Sequence, residues 1–464
     1  MRALLFPARI LIKHSHIDNQ RWDANACLRP GVYFVVQRPP KAIIGGKVAR
    51  RKRALNFGHD VSGASSCCLN LHQNVHALWK TAASAIHATT HRFFSAIPTT
   101  PTYERSLMLF ESYALGTTPL ANRTVMSPMT RSRAVDHNTP NALMAQYYAQ
   151  RATAGLIITE GVSPSPNGLG YARIPGLFNA GQVAGWRLTT DAVHAKGGKI
   201  FVQFMHCGRV SHQANLPAGA RVVGPNAEVC PGEMWTDASA MQPHTAPHAM
   251  TEADITATVA EYAHAAKLAV EAGFDGIELH AANGYLIEQF LNANVNQRTD
   301  GYGGSAESRN RFALEVAQAC VAAIGGDKVG IRISPYGVFN GTGAFDGVDE
   351  QYLALVEKLS ALKLVYLHQL DHSAMGAPVV PATGKKQLRA AFKQTYIAAG
   401  GFDAATAEAL LSAGDADLVA FGRAFLCNPD LVARMKAGAA LNVPDMSTFY
   451  TPGEKGYTDY PTLA

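Results

Sequence analysis

Cysteine is scarce and scattered. The 464-residue chain holds seven, Cys27, Cys67, Cys68, Cys207, Cys230, Cys320 and Cys427. None forms a Cys-x-x-Cys pair or a finger-like spacing, which argues against a disulfide framework and points to a reducing compartment. No uninterrupted apolar run reaches the roughly 18–20 residues of a membrane helix. No Gly-x-Gly-x-x-Gly follows an early strand-like run, which weakens the case for a dinucleotide-binding open sheet. Excess charge is also missing from most of the chain. The formal net charge is +6, but residues 1–107 hold 15 Lys or Arg against 4 Asp or Glu, leaving 26 against 31 for residues 108–464. That larger part is mildly acidic, so its overall charge gives nucleic acid no purchase. The expectation is a soluble cytoplasmic protein, a monomer or weak homo-oligomer, with neither a membrane nor nucleic acid as partner.

Residues 1–107 form a different kind of segment. Short apolar pieces alternate with basic clusters such as Ala49–Arg53, and no period of 2 or 3.6 is sustained. The region is expected to be a disordered basic extension or an over-long start, with a targeting segment as the alternative. His72 and His76 stand at i and i+4 without a third ligand, so no metal site is expected. Met108 opens MLFESYALGTTPLANRTVMSPMTRSRA, the beginning of a compact domain over 108–464.

From Met108 onward, short apolar runs rich in β-branched residues recur at 123–129, 156–161, 199–204, 276–281, 329–335, 364–370, 395–400 and 417–423. Segments of helical composition lie between most of them. The clearest is Glu252 to Ala272, with Ile255, Val259, Tyr262, Ala266 and Val270 at helical spacing. Others are Arg309 to Ile324 and Ala404 to Ala413. Eight strand–helix units predict an α/β fold, a closed (β/α)8 TIM barrel, with an open doubly wound sheet as the competitor. Residues 205–250 form a long insertion, and loops of that length are usually functional. The tail carries Phe449, Tyr450, Tyr457 and Tyr460, too aromatic for a free end, and is expected to fold back over the domain.

Two places carry chemistry. In GIELHAANGYL (276–286), a buried-strand run gives way to a loop bearing His280, Asn283 and Tyr285. At the carboxyl end of a barrel strand, His and Asn could direct two N–H donors at one oxygen while Tyr supplies a proton. The same residues would serve equally well in a turn that satisfies backbone groups, and spacing does not separate these readings. The seventh run ends in Ala398-Ala399-Gly400-Gly401 and the eighth in Phe421-Gly422-Arg423. Glycine amides and an arginine after the last two strands suit a phosphate. A plain helix-entry turn is the alternative at each glycine.

Seven separated blocks in one order resemble the Old Yellow Enzyme family of FMN-dependent ene-reductases, close to its bacterial N-ethylmaleimide and nitrate-ester reductase branch. They are ANRTVMSPMTRSRA (121–134), AGLIITEG (154–161), ELHAANGYL (278–286), NQRTDGYGGS (296–305), GIRISP (330–335), VAFGRAFLCNPDL (419–431) and GYTDYPTL (456–463). The resemblance covers about Met108 to Ala464 and leaves residues 1–107 outside it. It implies a tightly bound FMN and NAD(P)H as reductant, with NADH and NADPH not distinguished. By the same resemblance Thr130 meets the flavin C4 carbonyl, Gly161 leaves room for the ring edge, and Gln203 and Arg332 meet the pyrimidine end. Ala399, Gly400, Gly401, Gly422 and Arg423 hold the phosphate. His280 and Asn283 bind the carbonyl or nitro oxygen of an electrophilic alkene, Tyr285 protonates its α carbon, and Tyr171 and Tyr450 line the pocket.

Departures fall around the pocket. Met205 stands where the family often carries Trp, and Asn283 where some members carry a second His. Loop 205–250 predicts no substrate contact. Cys207 near the barrel mouth is either a packing residue or a redox-sensitive thiol. Three rival functions stand beside the ene-reductase. A multidomain dienoyl-CoA reductase needs clustered cysteines for an iron–sulfur centre, which are absent. A flavin-free phosphate-binding lyase or isomerase would be colourless. A flavin-binding module would hold FMN without turnover.

Overall fold

The computed structural model describes residues 107–463, so the basic extension, its Ala49–Arg53 cluster and the His72–His76 pair lie outside the described residues. Eight strands close into a barrel: β1 (Thr124–Met126), β2 (Leu156–Val162), β3 (Ile200–Phe204), β4 (Gly276–Ala281), β5 (Val329–Ile333), β6 (Tyr366–Leu370), β7 (Thr395–Ala399) and β8 (Leu418–Phe421). Each is parallel to both neighbours, and β8 pairs with β1 to complete the ring. All eight predicted runs are these strands, and the closed barrel replaces the open-sheet alternative.

Alternation along the strands sorts the core into two layers. Val125, Leu156, Ile158, Phe201, Tyr366, Ile397, Leu418 and Ala420 fill one cluster. Ile157, Val202, Ile277, Leu279, Ile331, Leu367 and Val419 belong to the other, which includes the surrounding helices. The first layer needs one gap: a Cβ on Gly330 would fall 2.2 Å from the Tyr366 ring. A hairpin of Tyr113–Leu115 with Thr118–Leu120, absent from the sequence-based expectation, adds Leu115 and Leu120 to that layer. Its strands are three residues long, too short for an alternation to be visible.

The helical shell comprises α1 (Ala142–Gln150), α2 (Ala180–His194), α3 (Glu252–Glu271), α4 (Ala306–Ile324), α5 (Val348–Ala361), α6 (Ala382–Ala391) and α7 (Ala404–Ser412). Thr251 and Asp254 form a reciprocal capping box that starts α3, satisfying amides that the first turn leaves free. The buried face of α3 keeps Ile255, Tyr262 and Ala266 of the expected positions and departs from it at Val270. Ile255, Thr258, Tyr262, Ala265, Ala266 and Ala269 are buried, while Val270 is exposed. The face is set by small residues that permit close approach to its neighbours, a signal that hydrophobicity alone misses. The long insertion carries a short hairpin, Glu233–Thr236 with Ala240–Pro243, whose four-residue strands also escaped detection.

The tail does fold back. Tyr457 is fully buried and stacks on Tyr147 of α1, ring centroids 4.0 Å apart at 9°. Arg131 donates to Gly456 O (2.7 Å), and Arg133 donates to Phe449 O (2.7 Å) and Thr448 O (2.8 Å). These bonds join the segment after β1 to the carboxyl tail. Tyr457→Ala should therefore cost about 3–5 kcal/mol, the range for deleting a buried aromatic ring. The Tyr457 hydroxyl itself has no hydrogen-bond partner, so Tyr457→Phe should match or exceed the parent protein. Guanidinium midpoints of the two variants decide it; equal losses would mean that the hydroxyl, not the ring, holds the tail.

Candidate active site

Strand β4 delivers His280 to the barrel mouth, and the turn behind it brings Asn283 and Tyr285 alongside. Asn283 (φ +60°) and Gly284 (φ +77°) are both left-handed, a conformation that Gly adopts freely and Asn tolerates. The amides so exposed are taken up inside the protein. Asn283 N–H donates to Ser334 Oγ (2.9 Å), and Gly284 N–H donates to Glu288 Oε2 (2.5 Å). Ser334 Oγ donates onward to Glu288 Oε1 (2.9 Å). Tyr285 caps the six-residue helix Leu286–Leu291.

The result is a pair of donors side by side. Ala282 N–H donates to His280 Nδ1 (3.3 Å), and burial, then Arg332, holds His280 well below its ordinary 6.5. The ring is therefore neutral with its proton on Nε2. His280 Nε2 stands 3.4 Å from Asn283 Nδ2, while Asn283 Oδ1 lies 2.8 Å from His372 Nε2. Two N–H groups cannot bond to each other, so the pair suits one shared acceptor oxygen. The Tyr285 ring meets the His280 ring edge-on at 4.8 Å, and its hydroxyl is 3.1 Å from that of Tyr171. Burial raises the Tyr285 phenol well above its ordinary 10, so it keeps its proton.

Beside this pair lies a layer of buried polar groups. Arg332 on β5 is in register with His280 on β4 and His368 on β6. Glu278 accepts from Gln203 Nε2 (2.7 Å) and pairs with His368 Nδ1 (2.8 Å), so the carboxylate is committed elsewhere. Arg332 Nε is buried without a partner. Thr130 is half-buried in the segment after β1. Gly161 has a reason of its own to be small, because a Cβ there would fall 2.5 Å from Met205 Sδ.

At the far side, β7 ends at Ala399, followed by Gly400 (φ +154°) and Gly401 (φ +81°). Neither glycine amide has a backbone acceptor among the described residues. Gly422 closes β8, and the exposed Arg423 begins the short helix Arg423–Cys427. Tyr171 is half-buried, whereas Tyr450 is 60% exposed, its carbonyl accepting from Arg173 (3.0 Å). Cys207 is buried and its thiol is pushed up to about 12 by burial, which favours the packing reading over a redox-sensitive one.

Fold and mouth define a barrel enzyme whose functional groups gather at the carboxyl ends of its strands. A family profile described as "NADH:flavin oxidoreductase / NADH oxidase family" matches residues 108–442. A probable flavin mononucleotide-dependent alkene reductase of Leishmania infantum is 44% identical over 362 residues, 77% of this chain and 98% of that protein. Chanoclavine-I aldehyde reductase fgaOx3 of Penicillium roqueforti is 44% identical over 364 residues, 76% and 95% of the two chains. A solved structure of morphinone reductase superposes with a TM-score of 0.74 at 43% identity, covering 76% of this chain and 96% of that one. The chain belongs to the NADH:flavin oxidoreductase family typified by Old Yellow Enzyme, and is an FMN-dependent oxidoreductase that uses NAD(P)H. The residues present fit FMN on two counts: an unpartnered buried guanidinium nitrogen at the mouth, and glycine amides with no backbone acceptor after β7.

Four residues of the site went unread in the sequence: Glu278, Glu288, Ser334 and His372. Glu278 lies in the ELHAANGYL segment, on a strand whose apolar neighbours mask it. Glu288 had a visible signal, an acid inside the apolar run LIEQFL. Ser334 and His372 follow other strands and become neighbours only when the barrel closes.

Glu288 supplies a pH test. Burial raises its carboxyl from 4.5 to about 7, against the hydrogen bonds from Gly284, Ser334 and Tyr352. A folded value above the unfolded one favours the fold fully below the unfolded value, and that contribution is lost as pH rises through the folded value. Relative to Glu288→Gln, the parent protein should lose about 3 kcal/mol of unfolding free energy between about pH 4.5 and pH 8, at about 1.4 kcal/mol per unit. Other shifted carboxyls cancel in this difference. Guanidinium titrations at the two pH values measure it, and a flat difference would show Glu288 to be unshifted.

Proposed function

We propose that the chain is an ene-reductase acting on alkenes conjugated to an aldehyde, ketone, imide or nitro group. The observation that carries this reading is the donor pair, His280 Nε2 and Asn283 Nδ2 at 3.4 Å. Names of relatives point the same way: an alkene reductase, an aldehyde reductase and a morphinone reductase. Arg332 and Gln203 would hold the pyrimidine side of FMN, Thr130 its C4 carbonyl, and Gly161 the nearby ring edge. Ala399, Gly400, Gly401, Gly422 and Arg423 would hold its phosphate. When bound, FMN supplies hydride transfer, from NAD(P)H to the flavin and from N5 to the β carbon of the alkene.

The remaining work falls to side chains. His280 and Asn283 donate to the activating oxygen and draw electron density from the double bond, leaving the β carbon electrophilic. Charge builds on that oxygen as the bond is reduced, and neutral donors in a dry site stabilise it most at that moment. Tyr285 gives its hydroxyl proton to the α carbon. Tyr171, in hydrogen-bond contact with Tyr285, can return one. Tyr171 and Tyr450 border the space above. Acceptor and reductant would share this space, which predicts ping-pong kinetics.

Replacing Tyr285 by Phe should slow reoxidation by 2-cyclohexenone about 100-fold or more, the scale of a lost general acid, with reduction by NADPH unchanged. Stopped-flow absorbance separates the halves, and an unchanged reoxidation rate would remove Tyr285 from the mechanism. Arg423→Ala should weaken FMN about 10–100-fold, the loss of one charge-assisted hydrogen bond. Fluorescence of released flavin reads this directly, and unaltered retention would place the phosphate elsewhere.

A further inference from the structure

The donor pair works only if the Asn283 amide faces the right way. Turned by 180°, it would offer Oδ1 to His280 Nε2–H and Nδ2 to His372. The two groups would then satisfy each other and leave one oxygen, rather than two donors, facing the mouth. Something must choose between these orientations. Resting on the function proposed above, we propose that His372 is a positioning residue that fixes the Asn283 amide so that Nδ2 joins His280 in binding the acceptor oxygen.

Geometry favours one orientation. The contact between Asn283 Oδ1 and His372 Nε2 is 2.8 Å, a full hydrogen bond, whereas Nδ2 and His280 Nε2 stand 3.4 Å apart. His372 is buried, its ring held edge-on against Phe339 at 4.6 Å. Burial, then Arg332, lowers it to about 4, so it is neutral with one N–H to give. Its Nδ1 has no hydrogen-bond partner among the described residues. A proton on Nδ1 would be a buried donor without an acceptor, and such orphans are rare. The proton therefore belongs on Nε2, where it meets an oxygen. The backbone removes other freedom: Asn283 N–H is bound by Ser334 and Asn283 O by Asn340 Nδ2 (2.7 Å). The side-chain torsions are left open, and the bond from His372 to Oδ1 fixes which way the amide faces. His372 reaches the site from β6, one strand beyond Arg332.

The test is equilibrium binding of 4-chlorophenolate to the oxidised holoenzyme, followed by visible absorbance, with FMN content and Tm recorded for each variant. His372→Leu should raise Kd about 10-fold, one hydrogen bond's worth. His372→Glu should raise it further, because an acceptor at this position draws Nδ2 to itself and turns Oδ1 toward the ligand. If the Leu variant does not fold, the Glu variant carries the test alone. In the Asn283→Ala background, His372→Leu should have no additional effect, a result that general loosening of the loop would not give. His280→Ala serves as the reference. If it weakens the phenolate while the His372 variants remain within about twofold of the parent, the positioning role is overturned and the acceptor site stands. If neither His280→Ala nor Asn283→Ala weakens the phenolate, the acceptor site fails and the positioning role fails with it.

Discussion

A buried acid, Glu288, holds the candidate active site together. The turn after β4 must place His280, Asn283 and Tyr285 on one side within six residues, and it does so through two successive left-handed residues. A non-glycine residue in that region costs of order 1 kcal/mol or more. It also points two backbone N–H groups into the protein rather than along a ladder. Glu288 accepts one directly and the other through Ser334. Without that acceptor the turn would leave buried donors unpaired, at about 1–3 kcal/mol each. The Glu288 carboxyl group is thus the counterpart of the conformation, and the conformation is what aims the donors.

Electrostatics follow the same division of labour. The mouth needs donors that remain free, so negative groups must be near enough to order it yet unable to consume it. Glu278 is satisfied by Gln203 and His368, which leaves Arg332 beside it without an ion pair. Burial keeps the His280 and His372 rings neutral, so neither competes with Arg332 as a fixed positive charge. Neutral donors and one guanidinium make a surface that attracts electron-rich atoms without trapping a full anion too tightly to release.

The barrel was legible because its strands are buried on both faces and therefore appear as unbroken apolar runs. The local part of the site was legible for a related reason: His280, Asn283 and Tyr285 are contiguous, and the turn that joins them is written in the same segment. Ser334 and His372 were not, because their roles exist only in the register of β4 with β5 and β6. The Tyr113–Leu120 hairpin was lost to its length. The buried face of α3 was legible at Ile255, Tyr262 and Ala266 but not at Val270, because the small residues Thr258, Ala265 and Ala269 share the inward side.

The carboxyl tail is joined through the segment after β1 to the end of β2. Arg131 and Arg133 lie one and three residues after Thr130, and both spend their guanidinium hydrogen bonds largely on tail carbonyls between Thr448 and Gly456. Arg131 N–H meanwhile donates to Glu160 (3.2 Å), the residue before Gly161. One chain of contacts therefore runs from the tail, through the segment after β1, to the end of β2. Tyr457 anchors that chain in the core while Tyr450, seven residues earlier, stays exposed. The aromatic tail is thus two things at once: a buried clamp, through Tyr457, on the segment that bears Thr130, and an exposed edge at Tyr450.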